Sequence, residues 1–129
     1  MSARALVQAA VFARVAGVAG LHAFDAPPRR AGVPFAVVDE PELKPWGTKS
    51  WDGFEVRLSV RLWDEGERPA RLRALLGAVE DAVADLAPSL GEGWRVVRVV
   101  LARSRVVGAP GNRWLAQAEF VGRIWREDG

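Results

Sequence analysis

Between Phe54 and Trp63 apolar and polar residues alternate without a break. Phe54, Val56, Leu58, Val60 and Leu62 stand against Glu55, Arg57, Ser59 and Arg61. A period of two sustained over this length cannot place its apolar set on one helix face. The stretch is a strand with one buried and one polar face, and the fold must supply a layer to cover the buried side.

The sequence after this strand supplies such a layer. Asp64-Glu65-Gly66-Glu67-Arg68 is a polar turn, and Pro69 stands at a helix start, where its missing N–H costs nothing. From Pro69 to Leu86, Leu72, Leu75, Leu76, Val79, Val83 and Leu86 recur at helical spacing, and Pro88 and Gly91 stop the helix. Its charges oppose the helix dipole. Arg71 and Arg73 lie at the positive end, Asp81 and Asp85 at the negative end. Either the helix tolerates this or the charges meet partners of opposite sign, and Asp64, Glu65 and Glu67 are the nearest compensating acids.

Two more strands follow. Trp94 to Val107 is rich in β-branched residues, Gly108-Ala109-Pro110-Gly111-Asn112 is a hairpin turn by composition, and Arg113 to Trp125 is the last strand. Simple alternation puts Arg98 on the face opposite Arg103 and Arg105, with Val97, Val99 and Leu101 on the face of the latter two. This predicts a hairpin whose second half projects beyond the core. Trp114, Ala116, Ala118, Phe120, Gly122 and Ile124 share one face of the last strand. The other face, with Arg113, Gln117, Glu119 and Arg123 but also Leu115, Val121 and Trp125, is not cleanly polar, and calls for cover by the first helix or by another subunit.

Upstream, Ser2 to Val18 has helical periodicity, with Ser2 as N-cap. Leu6, Ala9, Ala10, Ala13 and Gly17 form one strip, and Val7, Val11, Val15 and Val18 the next. Arg4 and Arg14 interrupt any signal-peptide core, so this segment reads as an amphipathic helix of a cytoplasmic protein. Residues 23–34 are a breaker segment, Phe35 to Asp39 is a short strand, and Glu40 to Ser50 reads as a long loop of the kind that carries function. The expectation is a single domain over 1–129. It is α+β, with a four-stranded, mostly antiparallel sheet and two helices on one face, in the order helix–strand–strand–helix–strand–strand.

Composition excludes several classes of function. The net charge of +2 is too small for a dedicated nucleic-acid binder, and cysteine is absent. One histidine, His22, and no cysteine cannot supply a usual zinc ligand set. The phosphate-loop and dinucleotide motifs are missing. No catalytic, cofactor-binding or metal site is expected, although Asp39, Glu40 and Glu42 cluster before the loop. Of the six tryptophans, Trp63, Trp94, Trp114 and Trp125 fall on or beside strands, while Trp46 and Trp51 bracket Gly47-Thr48-Lys49-Ser50 in the loop. Indoles beside a lysine have the composition of an interface anchor; the alternative is that both fold back over a sheet edge. The candidate interface set is Trp46, Lys49, Trp51, Asp81, Asp85, Arg103 and Arg105.

The Ala-rich opening LVQAAVFARVAG, the short strand VPFAVV, the Thr-containing loop 48–52, the strand ending in Trp63 with its polar turn, the Ala/Leu helix and the Arg-rich terminal hairpin follow one another in sequence. In this the chain resembles the tail-terminator or tail-completion family of siphophages and gene transfer agents, which includes DUF3168 proteins. The resemblance covers nearly the whole chain. It implies a structural role in a phage-like particle: a hexameric ring that caps the tail tube and joins it to a head-side connector or stopper protein. It further implies that DNA passes the lumen without specific binding, that no membrane is involved, and that the protein moves from the bacterial cytoplasm during assembly to the neck of the particle. Two alternatives stand beside it. One is a small ferredoxin-like ligand-binding or enzymatic domain, using His22 with Asp39 or Glu40. The other is a nucleic-acid-binding module, using Arg98, Arg103 and Arg105 with Trp114.

Overall fold

A computed structural model describes residues 1–127. The elements in chain order are α1 (Ala3–Ala16), β1 (His22–Phe24), β2 (Phe35–Val38), β3 (Glu42–Pro45), β4 (Trp51–Glu65), α2 (Ala70–Ala84), β5 (Ser89–Gly91), β6 (Trp94–Ala109) and β7 (Arg113–Glu127). The class is α+β, but the sheet has seven strands, not four. Its order is β1-β2-β4-β7-β6-β5, with β3 also paired to β4. The three additional strands are three or four residues long. Two pairings cannot establish a period in so few residues, and all three lie among the prolines and glycines that mark breaks in the sequence.

The supposed loop from Glu40 to Ser50 contains one of these strands. β3 pairs antiparallel with β4 from Glu42↔Arg57 to Pro45↔Phe54. The Trp46 N–H donates to the Gly53 carbonyl at 2.8 Å and the Thr48 N–H to the Trp51 carbonyl at 2.9 Å. A hairpin therefore replaces the loop.

β4 and β7 form the spine of the sheet, paired without interruption from Trp51↔Glu127 to Glu65↔Arg113. β6 pairs with the far side of β7. β4 and β6 are thus parallel to each other with β7 between them, and α2 makes the crossover. The terminal hairpin does not project, because β7 is matched by β4 along its whole length. Its tip is tied down as well. The Gly66 N–H donates to the Asn112 carbonyl at 2.8 Å, and Trp114 Nε1 donates to the Gly66 carbonyl at 2.9 Å.

Both helices cover the face formed by the even-numbered residues of β4 and β7. Val56, Leu58, Val60, Leu62, Ala116, Ala118, Phe120 and Ile124 meet Leu6, Val7, Val11 and Val15 of α1 and Leu72, Leu75, Leu76, Val79 and Val83 of α2 in one core. The valine strip of α1 faces inward and Ala9 and Ala13 face outward, since the larger side chains remove more apolar area from water. Ser2 caps α1 as expected, its Oγ accepting from the Ala5 N–H at 3.1 Å. Arg4 and Gln8 fasten α1 to the β2–β3 link, donating to the carbonyls of Pro41 and Val38.

Candidate interface faces

The odd-numbered residues of β4 and β7 point away from both helices, and no element among the described residues covers them. The first helix does not cover this face: α1 lies on the other side of the sheet, with α2. Cross-strand partners point to the same side, so the ladders define what the face carries. β4 contributes Glu55, Arg57, Ser59, Arg61 and Trp63, and β7 contributes Leu115, Gln117, Glu119, Val121, Arg123 and Trp125.

β6 departs from simple alternation. Register shifts fall between Val96 and Arg98 and between Leu101 and Arg103. Each adds one unpaired residue and so switches the side to which the following side chains point. Arg98 stands opposite Arg123, Arg103 opposite Glu119, and Arg105 opposite Gln117. All three arginines lie on the open face. The expected split between Arg98 and the other two is overturned, because the strand contains two bulges that composition does not reveal. Gly122 makes room for the first one. A Cβ there would run into the Arg98 carbonyl oxygen and lie 3.0 Å from Val99 Cγ2.

Ion pairs neutralise part of this charge. Arg103 binds Glu119, and Arg123 Nη2 lies 3.0 Å from Glu55. Asp39 is gripped by Arg61 through two nitrogens, the shortest contact being 2.7 Å. The hydrogen bond from Arg103 holds the Glu119 carboxyl below the usual range, with desolvation opposing it and nearby arginines assisting. A shallow basin of about 540 Å³ opens here, lined among others by Asp39, Glu42, Arg57, Arg103, Gln117 and Glu119. It is a mixed-charge surface in which Asp39 and Glu119 are held in ion pairs. Asp39 is committed to Arg61, which leaves it poorly disposed as the base that the enzymatic alternative requires. No group of three or more metal-ligating side chains occurs among the described residues.

Aromatic clusters close both ends of the open face. At one end Phe35 stacks on Trp63 at 4.9 Å, Phe24 meets Phe35 edge-on at 6.1 Å, and the Arg61 guanidinium lies 5.1 Å from the Trp63 ring centre. At the other end Trp46 and Trp51 meet edge-on at 4.7 Å, Trp51 meets Trp125 at 6.3 Å, and Arg123 lies 4.6 Å from the Trp46 ring centre. Trp46 and Trp51 are half-buried against each other, and Lys49 is exposed at the hairpin turn between them. Trp94 is buried in the core, and Trp114 packs against it. Trp63 and Trp125 are half-buried on the open face.

On the opposite side of the molecule, Asp81 and Asp85 are exposed on the last turns of α2. They are not brought together with Arg103 and Arg105, from which the sheet separates them. At the other end of α2, Arg71 has its partner within the chain. Its Nε and Nη2 reach Asp64 at 2.9 and 2.5 Å, and the Glu65 N–H also donates to Asp64 at 2.8 Å. Asp64 is the one buried charged residue among those described. The Arg71 hydrogen bond is the main reason its carboxyl titrates below the usual range. Sequence reasoning placed Asp64 only among compensating acids; that it sits on the even, buried register of the alternating strand was the available signal.

The sequence matches the family described as Tail completion protein gp17 over residues 1–125. The chain belongs to that family. The resemblance drawn from its helices, hairpin and Trp-ending strand is thereby borne out, as is the reading of a tail-completion structural protein. Among solved structures, a chain described as "Virion of native gene transfer agent (GTA) particle" shares the fold. Its TM-score is 0.77 and its identity 22%, with 97% of this chain and 99% of that one covered. A second match, the type 4 fimbrial biogenesis protein PilO from Pseudomonas aeruginosa, has a TM-score of 0.48 at 13% identity, over 95% of this chain and 67% of that one. No curated protein sequence matches the chain.

Proposed function

We propose that this tail-completion protein closes the end of a tail tube as a ring of six copies, and presents the other side of that ring to a head-side connector protein. It works without catalysis or cofactor. DNA crosses the lumen without specific binding, and the protein passes from the bacterial cytoplasm during assembly into the neck of the particle.

The observation that carries this reading is the placement of opposite charges on opposite faces of one rigid sheet. Arg103 and Arg105 occupy the open face, and Asp81 and Asp85 occupy the helix layer behind it. A contact between the front of one copy and the back of the next is heterologous, and heterologous contacts close into rings when the rotation permits. The exposed Asp81 and Asp85 add to the negative end of the α2 dipole and so favour a cationic neighbour. The Trp46–Trp51 hairpin with Lys49 supplies an aromatic anchor for the tube side.

A charge exchange tests the contact. Reversing Arg103 and Arg105 to Glu should prevent ring formation on tail tubes, read by electron microscopy and by mass. Adding Asp81→Arg and Asp85→Arg should partly restore it. Rings that form normally from the Glu variant, with only DNA passage impaired, would move the arginines to the lumen and defeat this contact.

A further inference from the structure

We propose that the outer edge of β6, from Arg98 to Ala109, is a docking edge for an extended segment of another protein that alternates acidic and apolar side chains. This does not depend on ring formation.

β6 is the longest strand of the sheet, and only its beginning has a partner on the outer side. β5 pairs with Trp94 and Arg95, and the Val96 N–H donates to the Pro88 carbonyl at 2.8 Å. Beyond that point no other strand among the described residues lies against it. The edge thus offers a row of free main-chain donors and acceptors, the template that strand addition uses. From Arg103 to Ala109 the register with β7 runs unbroken, from Glu119 to Arg113. That stretch is regular enough to accept a straight guest.

The side chains beside the edge show what the guest must carry. Val97, Val100, Leu101 and Val107 are 51%, 37%, 41% and 40% exposed, and together with Met1 they are the exposed large hydrophobics among the described residues. Natural edges are usually blunted by charge or covered; this one keeps Val100, Leu101 and Val107 exposed along it. The charged groups beside it on the open face are Arg98, Arg103 and Arg105. Arg103 is occupied by Glu119, while Arg98 and Arg105 make no ion pair among the described residues. Val100 and Val107 share the open face with the arginines, while Val99, Leu101 and Val106 lie on the helix side. A guest with acids toward the open face meets the arginines there and sets its apolar residues against Val99, Leu101 and Val106.

A second copy of this chain fits poorly. Pairing β6 with β6 in one continuous sheet sets the arginine row against its own copy, and like charges directly opposite destabilise a ladder. The other exposed edges, β1 and β3, are three and four residues long, and β3 ends in Pro45. Neither matches the seven regular residues from Arg103 to Ala109.

The test uses the full chain before assembly and a twelve-residue peptide of alternating Glu and Val. The peptide should bind in a salt-sensitive manner and slow amide hydrogen exchange along β6 without changing it in β4. Arg98→Glu with Arg105→Glu should lower its affinity about tenfold or more, the loss of close charge complementarity, and should make a Lys–Val peptide the better ligand. Thermal melting confirms that this variant is folded. Absence of binding by either peptide to the folded proteins would overturn the proposal. So would protection confined to other strands, or concentration-dependent self-association that protects β6 and excludes the peptide.

Discussion

The guanidinium of Arg123 lies 4.6 Å from the ring centre of Trp46 while its Nη2 binds Glu55. One side chain of β7 therefore holds both the β3–β4 hairpin and its own neighbour on β4. The hairpin tip is consequently part of the folded sheet, not an appendage.

Trp46→Ala should cost about 1 kcal/mol, from loss of the cation–π contact and the edge-on pair with Trp51. That corresponds to a drop of about 4 °C or slightly more in Tm for a chain of this size. The variant should remain folded by circular dichroism and lose its hold on tail tubes. Collapse of the whole fold would make the indole part of the core and remove it from the interface.

The Asp64–Arg71 pair makes stability depend on acidity. Asp64 titrates below its usual value when folded. Its contribution is therefore complete above the ordinary carboxylate range, near pH 4, and disappears as pH falls through the lowered value. Arg71→Met should destabilise the fold at neutral pH, because it leaves the buried Asp64 carboxylate without its charged partner. Urea unfolding from pH 7 to pH 2 should show the wild-type advantage shrinking toward acid. A constant difference at all pH values would exclude the pair as its source.

Gly122→Ala should be among the more damaging single-methyl changes. The added carbon meets the Arg98 carbonyl, a backbone atom that cannot rotate aside. A loss of about 1–3 kcal/mol is expected, as for other overpacked sites, with changed chemical shifts around Val96–Val99. An unaltered β6 spectrum would show that the bulge tolerates the group.

Trp114→Phe keeps a ring against the core and deletes the hydrogen bond to Gly66. It should cost about 1 kcal/mol and speed amide exchange at Gly66, whose N–H anchors the hairpin turn.

What could be read in advance follows from how the signal is written. Phe54–Leu62 and Leu72–Val83 each repeat their period several times, and both emerge with the expected residues facing the core, Phe54 partly buried at its margin and the others buried. Trp114 to Ile124 likewise places the expected even set on one face. His22–Phe24, Glu42–Pro45 and Ser89–Gly91 repeat nothing and are strands only because a neighbouring strand presents an edge to them. The bulges of β6 are a relation between two strands, Gly122 on one and Arg98 on the other, so reading β6 alone put Arg98 on the wrong side. Asp64 is similar. Its register said buried, but only the first turn of α2 shows what makes burial tolerable.

The tether between Gly66, Asn112 and Trp114 joins the tip of the arginine-bearing hairpin to the entry of the helix that carries Asp81 and Asp85. Two surfaces that would touch different neighbours are thus parts of one stiff body. In a closed assembly each subunit passes a fixed angle to the next, and the number of copies that returns to the starting point is set inside a single subunit. Loosening the tether would leave every contact residue in place and still blur the count, giving arcs and rings of mixed size where one size had been.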